Sequence, residues 1–298
     1  MSTEARSGQA LAHQPVLYHE VLEALRPEPG GRFLDGTVGA GGHAWGILHA
    51  SSPSGELLGL DVDPAALAIA QEKLAEFGER VQLRKGSYGL LSQWLADVGW
   101  DSVSGILLDL GVSSMQLDRG ERGFSFRQDA PLDMRFDPGG HVTAEEIVNN
   151  WPEGELADIL YRYGEEPRSR KLARAIVKAR PLRTTKGLAD LTGKTLGRKS
   201  GAIHPATRTF QALRIAVNRE LETLEAALPQ AVAALESGGR LAVMAFHSLE
   251  DRIVKHFLRE SSQSTLRVIT RKPVRPQPAE IQANPRARSA RLRVAEKT

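Results

Sequence analysis

A glycine-rich turn, Asp35-Gly36-Thr37-Val38-Gly39-Ala40-Gly41-Gly42-His43, follows the apolar pair Phe33-Leu34 and decides the expected fold. The apolar pair predicts the end of a buried strand, and glycine lets the backbone of the turn approach a ligand closely. A second apolar run, Leu57–Leu60, ends at Asp61, 22 residues after Gly39. An acidic residue about 20 residues beyond a glycine-rich strand-to-helix turn commonly binds ribose hydroxyls. The sequence therefore predicts a site for a cofactor that contains a nucleoside.

The charge of Asp35 favours one class of nucleoside cofactor over another. The segment Gly39–Ala44 fits the dinucleotide pattern G-x-G-x-x-G/A, which would place a pyrophosphate at this turn. A carboxylate there repels a pyrophosphate, by about 1 kcal/mol for unit charges about 4 Å apart in water and several times more in a partly dry cleft. S-adenosylmethionine instead carries an ammonium and a sulfonium group, which a carboxylate attracts. The residues favour S-adenosylmethionine over NAD, and a glycine-rich loop without a ligand is the remaining alternative.

Composition excludes several kinds of site and sets the expected location of the protein. The 298-residue chain is 41% hydrophobic, which suffices for a substantial core and for two lobes. It contains no cysteine, which excludes disulfides, thiolate zinc sites and cysteine nucleophiles. Residues 1–14 lack the apolar region of a signal peptide, and no apolar run approaches the roughly 18 residues of a membrane span. We therefore expect a soluble, cytoplasmic protein with no membrane partner.

Positive charge is concentrated in two segments, although the formal net charge is only +3. Residues 162–219 contain 15 lysines and arginines against 3 acidic residues, and residues 265–298 contain 9 against 2. The rest of the chain is correspondingly acidic. One basic segment is often a solvated face, but two on an acidic body are typical of a protein that binds a polyanion. Nucleic acid is the expected partner.

The first third of the chain alternates predicted helices and strands. After a short helix over Val16–Leu25, strands are predicted at Arg32–Asp35, Leu57–Leu60, Val81–Leu83 and Ile106–Leu110. Asp63 is an expected helix N-cap, with Pro64 at the first helical position. This alternation predicts a doubly wound, parallel sheet that binds ligands at the carboxyl ends of its strands. Asp35, Asp61 and Asp109 all lie at such ends.

The alternation is interrupted in the middle of the chain. The sequence predicts an ordered loop over residues 113–136 and a basic helical region over 143–202. One helix is predicted over Pro205–Leu235, followed by a strand at Arg240–Phe246. Two short strands are predicted at Leu266–Ile269 and Ala290–Val294, with a proline-rich loop between them. We therefore assign residues 1–117 and 213–298 to a discontinuous cofactor-binding domain. Residues 118–212 are assigned to an inserted, mainly helical, basic domain for substrate recognition.

Nine blocks, in order along nearly the whole chain, resemble one known family. They are His13–Leu17, Asp35–His43, Leu107–Ser114, Arg122–Phe126, Pro131–Arg135, Tyr163–Glu166, His204–Ile215, Phe246–Arg252 and Asn284–Ser289. Together they resemble the bacterial RsmH (MraW) family, which methylates N4 of a cytidine in the decoding centre of 16S ribosomal RNA. The resemblance implies an α/β fold: a class I methyltransferase (Rossmann-like, doubly wound, mostly parallel sheet) with an inserted helical domain. It also implies S-adenosylmethionine as the methyl donor and S-adenosylhomocysteine as the product. No metal is expected, because His13, His43, His204 and His247 lack the spacing of metal ligands.

The resemblance further implies which residues contact the cofactor. The expected contacts are Gly41, Gly42, His43, Asp61, Tyr88, Asp109 and Gln116, with Asp61 at the ribose and Tyr88 near the adenine. Tyr88 stands where the family often has phenylalanine, and an aromatic ring packs on adenine in either case. Met115 replaces a frequent proline, which changes the stiffness of the loop rather than its chemistry. The implied partner is 16S rRNA, within the assembled 30S subunit, and a homodimer is left open.

Asp109 is the candidate catalytic residue. The N4 amine of cytosine is a weak nucleophile because its lone pair is delocalised, so acceptors must hold its protons and direct the lone pair towards the methyl carbon. Asp109 and the backbone carbonyls of Leu110 and Gly111 stand where other amino-methyltransferases place such acceptors. We expect direct in-line transfer without a covalent intermediate; the alternative is that Asp109 contacts only the cofactor. An NAD-dependent oxidoreductase and a noncatalytic ribosome-assembly factor remain open as other functions.

Two further groups have alternative interpretations. Phe124 and Phe126 alternate with Arg122 and Arg127, which suits either a lid that stacks on a splayed base or burial under the inserted domain. His247 follows a predicted strand and lies either near the substrate pocket or in a structural hydrogen bond.

Overall fold

A seven-stranded, mostly parallel sheet organises the structure, a computed structural model that describes residues 15–112, 116, 120–197 and 204–298. The strands are β1 (Arg32–Asp35), β2 (Glu56–Asp61), β3 (Val81–Lys85), β4 (Val103–Asp109), β5 (Leu235–Ala245), β6 (Leu266–Val268) and β7 (Arg291–Lys297). Their order in the sheet is β3-β2-β1-β4-β5-β7-β6. Strands β1 to β5 pair in parallel, whereas β7 is antiparallel to both β5 and β6.

The described helices surround this sheet or form a separate unit. They are α1 (Tyr18–Leu25), α2 (Gly42–Ala50), α3 (Pro64–Leu74), α4 (Leu91–Asp97), α5 (Ala144–Asn150), α6 (Glu153–Arg162), α7 (Ser169–Lys178), α8 (Thr185–Leu196), α9 (Ala206–Asn218), α10 (Glu220–Ala234), α11 (Ser248–Ser261) and α12 (Pro278–Ala283). Asp63 caps α3 as predicted, because its Oδ1 accepts a hydrogen bond of 3.0 Å from Ala65 N. None of the helices just named is long and apolar enough to cross a membrane.

Apolar runs form the inner strands because helices cover both faces of the sheet. Leu57 packs in one hydrophobic cluster with α1, α2 and α3, whereas its neighbour Leu58 packs in another with α4, α10 and α11. In the same way Leu107 of β4 faces the first cluster and Leu108 the second. Successive residues of a strand point to opposite faces, so a strand buried on both faces is apolar throughout.

The order of the strands creates a crevice between β1 and β4. The chain runs outward from β1 to β2 and β3 and then returns to place β4 on the other side of β1. Open α/β sheets bind ligands at such a reversal, beyond the carboxyl ends of the strands. Asp35 ends β1 and Asp109 ends β4, so both predicted carboxylates lie at this crevice. Parallel strands β1 to β5 with an antiparallel β7 beside β5 form the sheet of a class I methyltransferase, which confirms the predicted fold class.

The chain divides into two compact units, residues 112–221 and residues 1–111 with 222–298. Helices α5 to α9 of the smaller unit share a hydrophobic core that includes Leu156, Leu160, Leu172 and Ile176. The predicted helical region, 143–202, is mainly helical over its described residues, as expected. The limits 118–212 of a substrate-recognition domain stay a prediction.

The single helix predicted over Pro205–Leu235 is wrong. Helix α9 ends at Asn218, and Arg219 adopts a left-handed backbone conformation, with φ 51° and ψ 42°, before α10 begins. Arg219 N donates a hydrogen bond to Ile215 O and so closes α9. Leu235, the last residue of the predicted helix, is instead the first residue of β5. Helices commonly end at a left-handed glycine, and arginine at this position gives no such signal in the sequence.

The predicted strands near the end of the sequence are confirmed as β6 and β7. The proline-rich segment between them is not a simple loop, since it contains α12 and a 3₁₀ helix over Pro285–Ser289. Leu17 N donates a hydrogen bond of 2.8 Å to Glu280 Oε1, which ties α12 to the start of α1.

Replacement of Arg219 by glycine should stabilise the protein by about 0.5–1 kcal/mol. A residue with a β-carbon is strained in the left-handed conformation, whereas glycine is not. Urea unfolding of the Arg219→Gly variant measures the gain. Glu225→Gly, at an exposed position inside α10, is the matched control and should lose about 1 kcal/mol because glycine disfavours a helix. A loss in both variants would contradict the assigned strain.

Candidate active site

The glycine-rich turn after β1 leads directly into α2. Gly39 and Gly41 have φ values of 52° and 77°, in the left-handed region that glycine tolerates. A β-carbon on Gly42 would lie 2.4 Å from Pro15 Cγ, so a side chain at this position would clash. The turn therefore brings the N-terminus of α2, rather than bulky side chains, to the carboxyl end of β1.

Asp61 is bound to this turn from the end of β2. Its Oδ2 accepts a hydrogen bond of 2.9 Å from Gly39 N, and its Oδ1 accepts one of 2.8 Å from Asp63 N. Burial raises the pKa of Asp61, although these backbone hydrogen bonds oppose the rise. Because Asp63 caps α3, Asp61 is not needed as a cap. It remains available for the ribose role that the sequence predicts.

Asp35 and Asp109 bring two further carboxylates to the crevice. Asp35 is 1% exposed, and burial raises its pKa to about 7, with the charge of Asp61 adding to the rise. Burial also raises the pKa of Asp109 well above its usual range, and the charges of Asp35 and Glu250 raise it further. Like charges in a low-dielectric site favour protonation of one partner or the approach of a cation. The crevice is thus suited to a positively charged ligand.

His43 lies beside Asp109 in the first turn of α2. Its Nε2 is 3.6 Å from Asp109 Oδ2, and its ring stacks on Tyr18 with 6.1 Å between centroids. Burial, together with the charge of Lys73, lowers the pKa of His43 to about 4, so the ring is neutral at pH 7. Oδ1 of Asp109 is buried and has no hydrogen-bond partner among the described residues, and the buried ring of His43 is approached by the backbone of Val16. Buried polar atoms usually have partners, so this corner is suited to a polar ligand.

The other two predicted cofactor residues, Tyr88 and Gln116, belong to different units. Tyr88, in a 3₁₀ helix after β3, packs close to the end of β1: a β-carbon on Gly36 would lie 2.9 Å from Tyr88 Cβ. It therefore belongs with the residues at the crevice. Gln116 is buried within the smaller unit. Its role at the cofactor stays a prediction, and Met115 lies outside the described residues.

Two residues at the crevice were missed by the sequence analysis. Thr37 Oγ1 accepts a hydrogen bond of 2.7 Å from Asp109 N and so joins the turn to β4. Glu250 Oε2 accepts hydrogen bonds from the backbone N–H groups of Phe246 and His247, at 2.8 and 3.2 Å. The spacing of His247 and Glu250 is that of a capping box, a pattern that could have revealed Glu250.

The structure also gives the contacts of His247 and of the two phenylalanines, for which the sequence left alternatives open. His247 caps α11, since its Nδ1 accepts a hydrogen bond from Glu250 N, which supports the structural role. Phe124 stacks on Phe136 with 5.6 Å between ring centroids, and Phe126 lies 5.0 Å from Phe210. Both rings pack with the core of the smaller unit, so burial is supported over a free lid.

Four basic residues of the smaller unit lie on one exposed face of α7. Leu172, Ala173 and Ile176 bury the opposite face of this helix. The exposed positions are Arg170, Lys171, Arg174 and Lys178. Arg174 lies 3.6 Å from Glu153 in a pair that is exposed on both sides, which stabilises little. We call these four residues the α7 face.

Arginines of the second basic segment are partly neutralised within the fold. Arg291 Nη1 lies 3.0 Å from Asp251 Oδ2, and Arg293 Nε lies 2.7 Å from Asp251 Oδ1. Burial opposes ionisation of Asp251, but these arginines hold its pKa below the usual range. Arg240 of β5 and Arg267 of β6 pair in the same way with Glu296. These paired arginines therefore stabilise the sheet edge. Other cations of the same segment are exposed, as those of the α7 face are: Arg271, Lys272, Arg275, Arg286 and Arg288.

Comparison with known proteins gives a consistent result over almost the whole chain. The sequence profile of the MraW methylase family matches residues 10–298. The ribosomal RNA small subunit methyltransferase H of Heliobacterium modesticaldum is 51% identical, over 96% of this chain and 98% of the relative. The protein of the same name from Synechococcus elongatus is 49% identical, over 100% of this chain and 98% of the relative. A solved rRNA methylase from Streptococcus thermophilus is 13% identical, with a TM-score of 0.45, over 94% of this chain and 93% of that one. The chain belongs to the MraW methylase family, a family of S-adenosylmethionine-dependent methyltransferases.

Proposed function

We propose that this protein transfers the methyl group of S-adenosylmethionine to N4 of a cytidine in the decoding centre of 16S rRNA, within the cytoplasmic 30S subunit. Its relatives are named as methyltransferases of small-subunit ribosomal RNA, which supports the class of substrate. The choice of an amine as the methyl acceptor rests on one observation: Asp109 has a buried carboxylate oxygen with no partner among the described residues. The chain also has no cysteine, and hence no thiolate of the kind used to methylate carbon 5 of cytosine.

The residues at the crevice fit S-adenosylmethionine. Asp35, Asp61 and Asp109 supply negative charge, and His43 supplies a neutral, polar ring. In the proposed arrangement Gly41, Gly42 and His43 face the methionine portion, Asp61 binds the ribose and Tyr88 packs on the adenine. When bound, the cofactor supplies an electrophilic methyl group. A pyrophosphate would be repelled by the same carboxylates, which argues against NAD, as does the family.

Asp109 is proposed to orient the amine and to accept its proton. Its carboxylate and the backbone carbonyls of Leu110 and Gly111 hold the N–H groups so that the nitrogen lone pair points at the methyl carbon. The bound cofactor would supply the methyl group, the electron pair of the broken C–S bond would stay on its sulfur, and Asp109 would accept one amine proton. The raised pKa of Asp109 makes its carboxylate a better proton acceptor than an ordinary aspartate. Orientation of the two reactants can itself contribute several kcal/mol.

A noncatalytic role in ribosome assembly is the second candidate from the sequence. No observation favours it over catalysis, because the crevice retains its carboxylates and its glycine-rich turn. Tritium transfer to 30S subunits from a strain that lacks this gene, followed by mass spectrometry of the nucleosides, tests the proposal directly. N4-methylated cytidine supports it, binding without transfer supports an assembly factor, and a different methylated nucleoside overturns the choice of N4.

Replacement of Asp61 by alanine should weaken S-adenosylmethionine binding by roughly 1–3 kcal/mol, the range for hydrogen bonds to a charged group. Isothermal titration calorimetry measures the affinity. The variant should remain folded because Asp63 still caps α3. Asp101→Ala, at an exposed position in the same unit, is the control. Equal affinities in the two variants would refute the ribose assignment.

The single-turnover rate should rise with pH as Asp109 ionises, and this dependence should be lost in the Asp109→Asn variant. Asp109 accepts amine protons only when ionised, and burial, Asp35 and Glu250 raise its pKa, so its ionised fraction falls as the pH is lowered towards that value. We expect the variant to be at least about 100-fold slower at saturating cofactor. Asp101→Asn should behave as wild type. A variant with the wild-type maximal rate and weaker cofactor binding would make Asp109 a cofactor ligand instead.

The α7 face is proposed to bind ribosomal RNA through phosphates. Each phosphate contact contributes about −0.7 to −0.9 to the slope of log K against log salt concentration. The double variant Arg170→Gln, Lys171→Gln should therefore flatten this slope by up to about 2 units and leave cofactor affinity unchanged. Lys255→Gln, Arg259→Gln, which removes two exposed cations from α11, is the matched control. Filter binding to 16S rRNA gives the slopes, and equal slopes in the two variants would place the RNA surface elsewhere.

A further inference from the structure

Thr37 occupies a special place in the pairing of β1 with β4. The two strands are in parallel register, with Asp35 opposite Leu107, and Gly36 N donates a hydrogen bond of 2.9 Å to Leu107 O. The next N–H of β4 on the side of β1 belongs to Asp109. It donates a hydrogen bond of 2.7 Å to Oγ1 of Thr37 instead of to a backbone carbonyl. The hydroxyl of Thr37 thus continues the ladder one step beyond the last backbone bond.

The backbone of the turn does not make this contact itself, because after Thr37 it pairs with β2, the other neighbour of β1. Val38 N donates a hydrogen bond of 2.8 Å to Leu60 O of β2. From Thr37 onward the main chain therefore leads away from β4. The side-chain hydroxyl is the group that still reaches Asp109.

The direction of the hydrogen bonds follows from this contact. Since Thr37 Oγ1 accepts from Asp109 N, its own proton is directed elsewhere, and Asp35 Oδ1 lies 3.4 Å away. Thr37 N donates to the same carboxylate oxygen at 3.1 Å. The hydroxyl contact is long and weak for this type of bond, whereas the contact with Asp109 N is short. Thr37 therefore binds the backbone N–H of Asp109 and contacts the side chain of Asp35.

We propose that Thr37 is a positioning residue for methyl transfer, whose hydroxyl fixes the end of β4 and so the carboxylate of Asp109 relative to Asp35 and the glycine-rich turn. The proposal rests on the proposed role of Asp109. A displacement of about 1 Å at a reacting group can slow a reaction by about two orders of magnitude, so the loss of this contact is expected to reduce the rate more than the stability.

The experiment compares three variants of the full chain. Thr37→Val removes the hydroxyl and keeps the shape, and Thr37→Ser keeps the hydroxyl. The matched control is Thr270→Val, because Thr270 Oγ1 accepts a hydrogen bond of the same kind, 2.8 Å from Val294 N of β7. Single-turnover rates on unmethylated 30S subunits at saturating S-adenosylmethionine, cofactor affinity by calorimetry and thermal unfolding are measured for each.

Thr37→Val should be about 10- to 100-fold slower at saturating cofactor, with cofactor affinity within about threefold of wild type. Thr37→Ser should recover the rate to within about threefold, and Thr270→Val should keep the wild-type rate even if it unfolds at a lower temperature. Should Thr37→Val not fold, Thr37→Ala removes the same hydroxyl without the branched side chain and takes its place.

Three results would overturn the proposal: equal rates in Thr37→Val and Thr270→Val, a serine variant as slow as the valine variant, or a defect that disappears when the cofactor concentration is raised. The last result would make Thr37 a cofactor-binding residue. Failure of the proposed function is seen separately, because mass spectrometry of the wild-type product identifies the methylated atom. The dependence of the rate on the hydroxyl is measured whichever atom receives the methyl group.

Discussion

The repulsion between carboxylates at the ends of neighbouring parallel strands is the constraint on which the site depends. The reversal of strand order after β3 brings Asp35 and Asp109 to one crevice, where Asp35 is almost wholly buried and Asp109 is partly buried. Burial opposes ionisation of both groups, and the charge of Asp61 adds to this effect at Asp35 as the charge of Asp35 does at Asp109. A ligand that carries positive charge relieves the same repulsion. Ligand choice is in this sense a property of the sheet topology as much as of the residues.

Features with local causes could be predicted from the sequence. Asp63 and Pro64 mark the start of α3, and unbroken apolar runs mark the inner strands, because these signals depend on near neighbours in the chain. The role of Thr37 could not be predicted, since its hydroxyl binds an N–H group 72 residues away. Arg219 ends a helix although its residue type does not favour the left-handed conformation it adopts. In both cases tertiary contacts decide what the local sequence leaves open.

For the two basic segments, the sequence likewise does not reveal which positive charges the fold neutralises. Their counts of lysine and arginine suggest similar surfaces, yet Arg291 and Arg293 share Asp251, whereas Arg170 and Lys171 lie exposed on a helix. The acidic partner of the first pair is 40 residues or more away, so no reading of local charge reveals the neutralisation. Formal charge therefore indicates the kind of partner, and the fold selects which cations remain available to it.

The position of β7 has a consequence for the order in which the sheet is assembled. Among the described strands β6 pairs with β7 alone, yet β6 is synthesised first. Strand β6 cannot join the sheet until β7 has paired with β5. That pairing requires the long chain segment between β5 and β7 to close first. Until then β5 presents an unpaired edge, the type of surface on which strands from other chains add. A nascent or truncated chain that lacks β7 thus carries an open sheet edge beside its completed cofactor crevice.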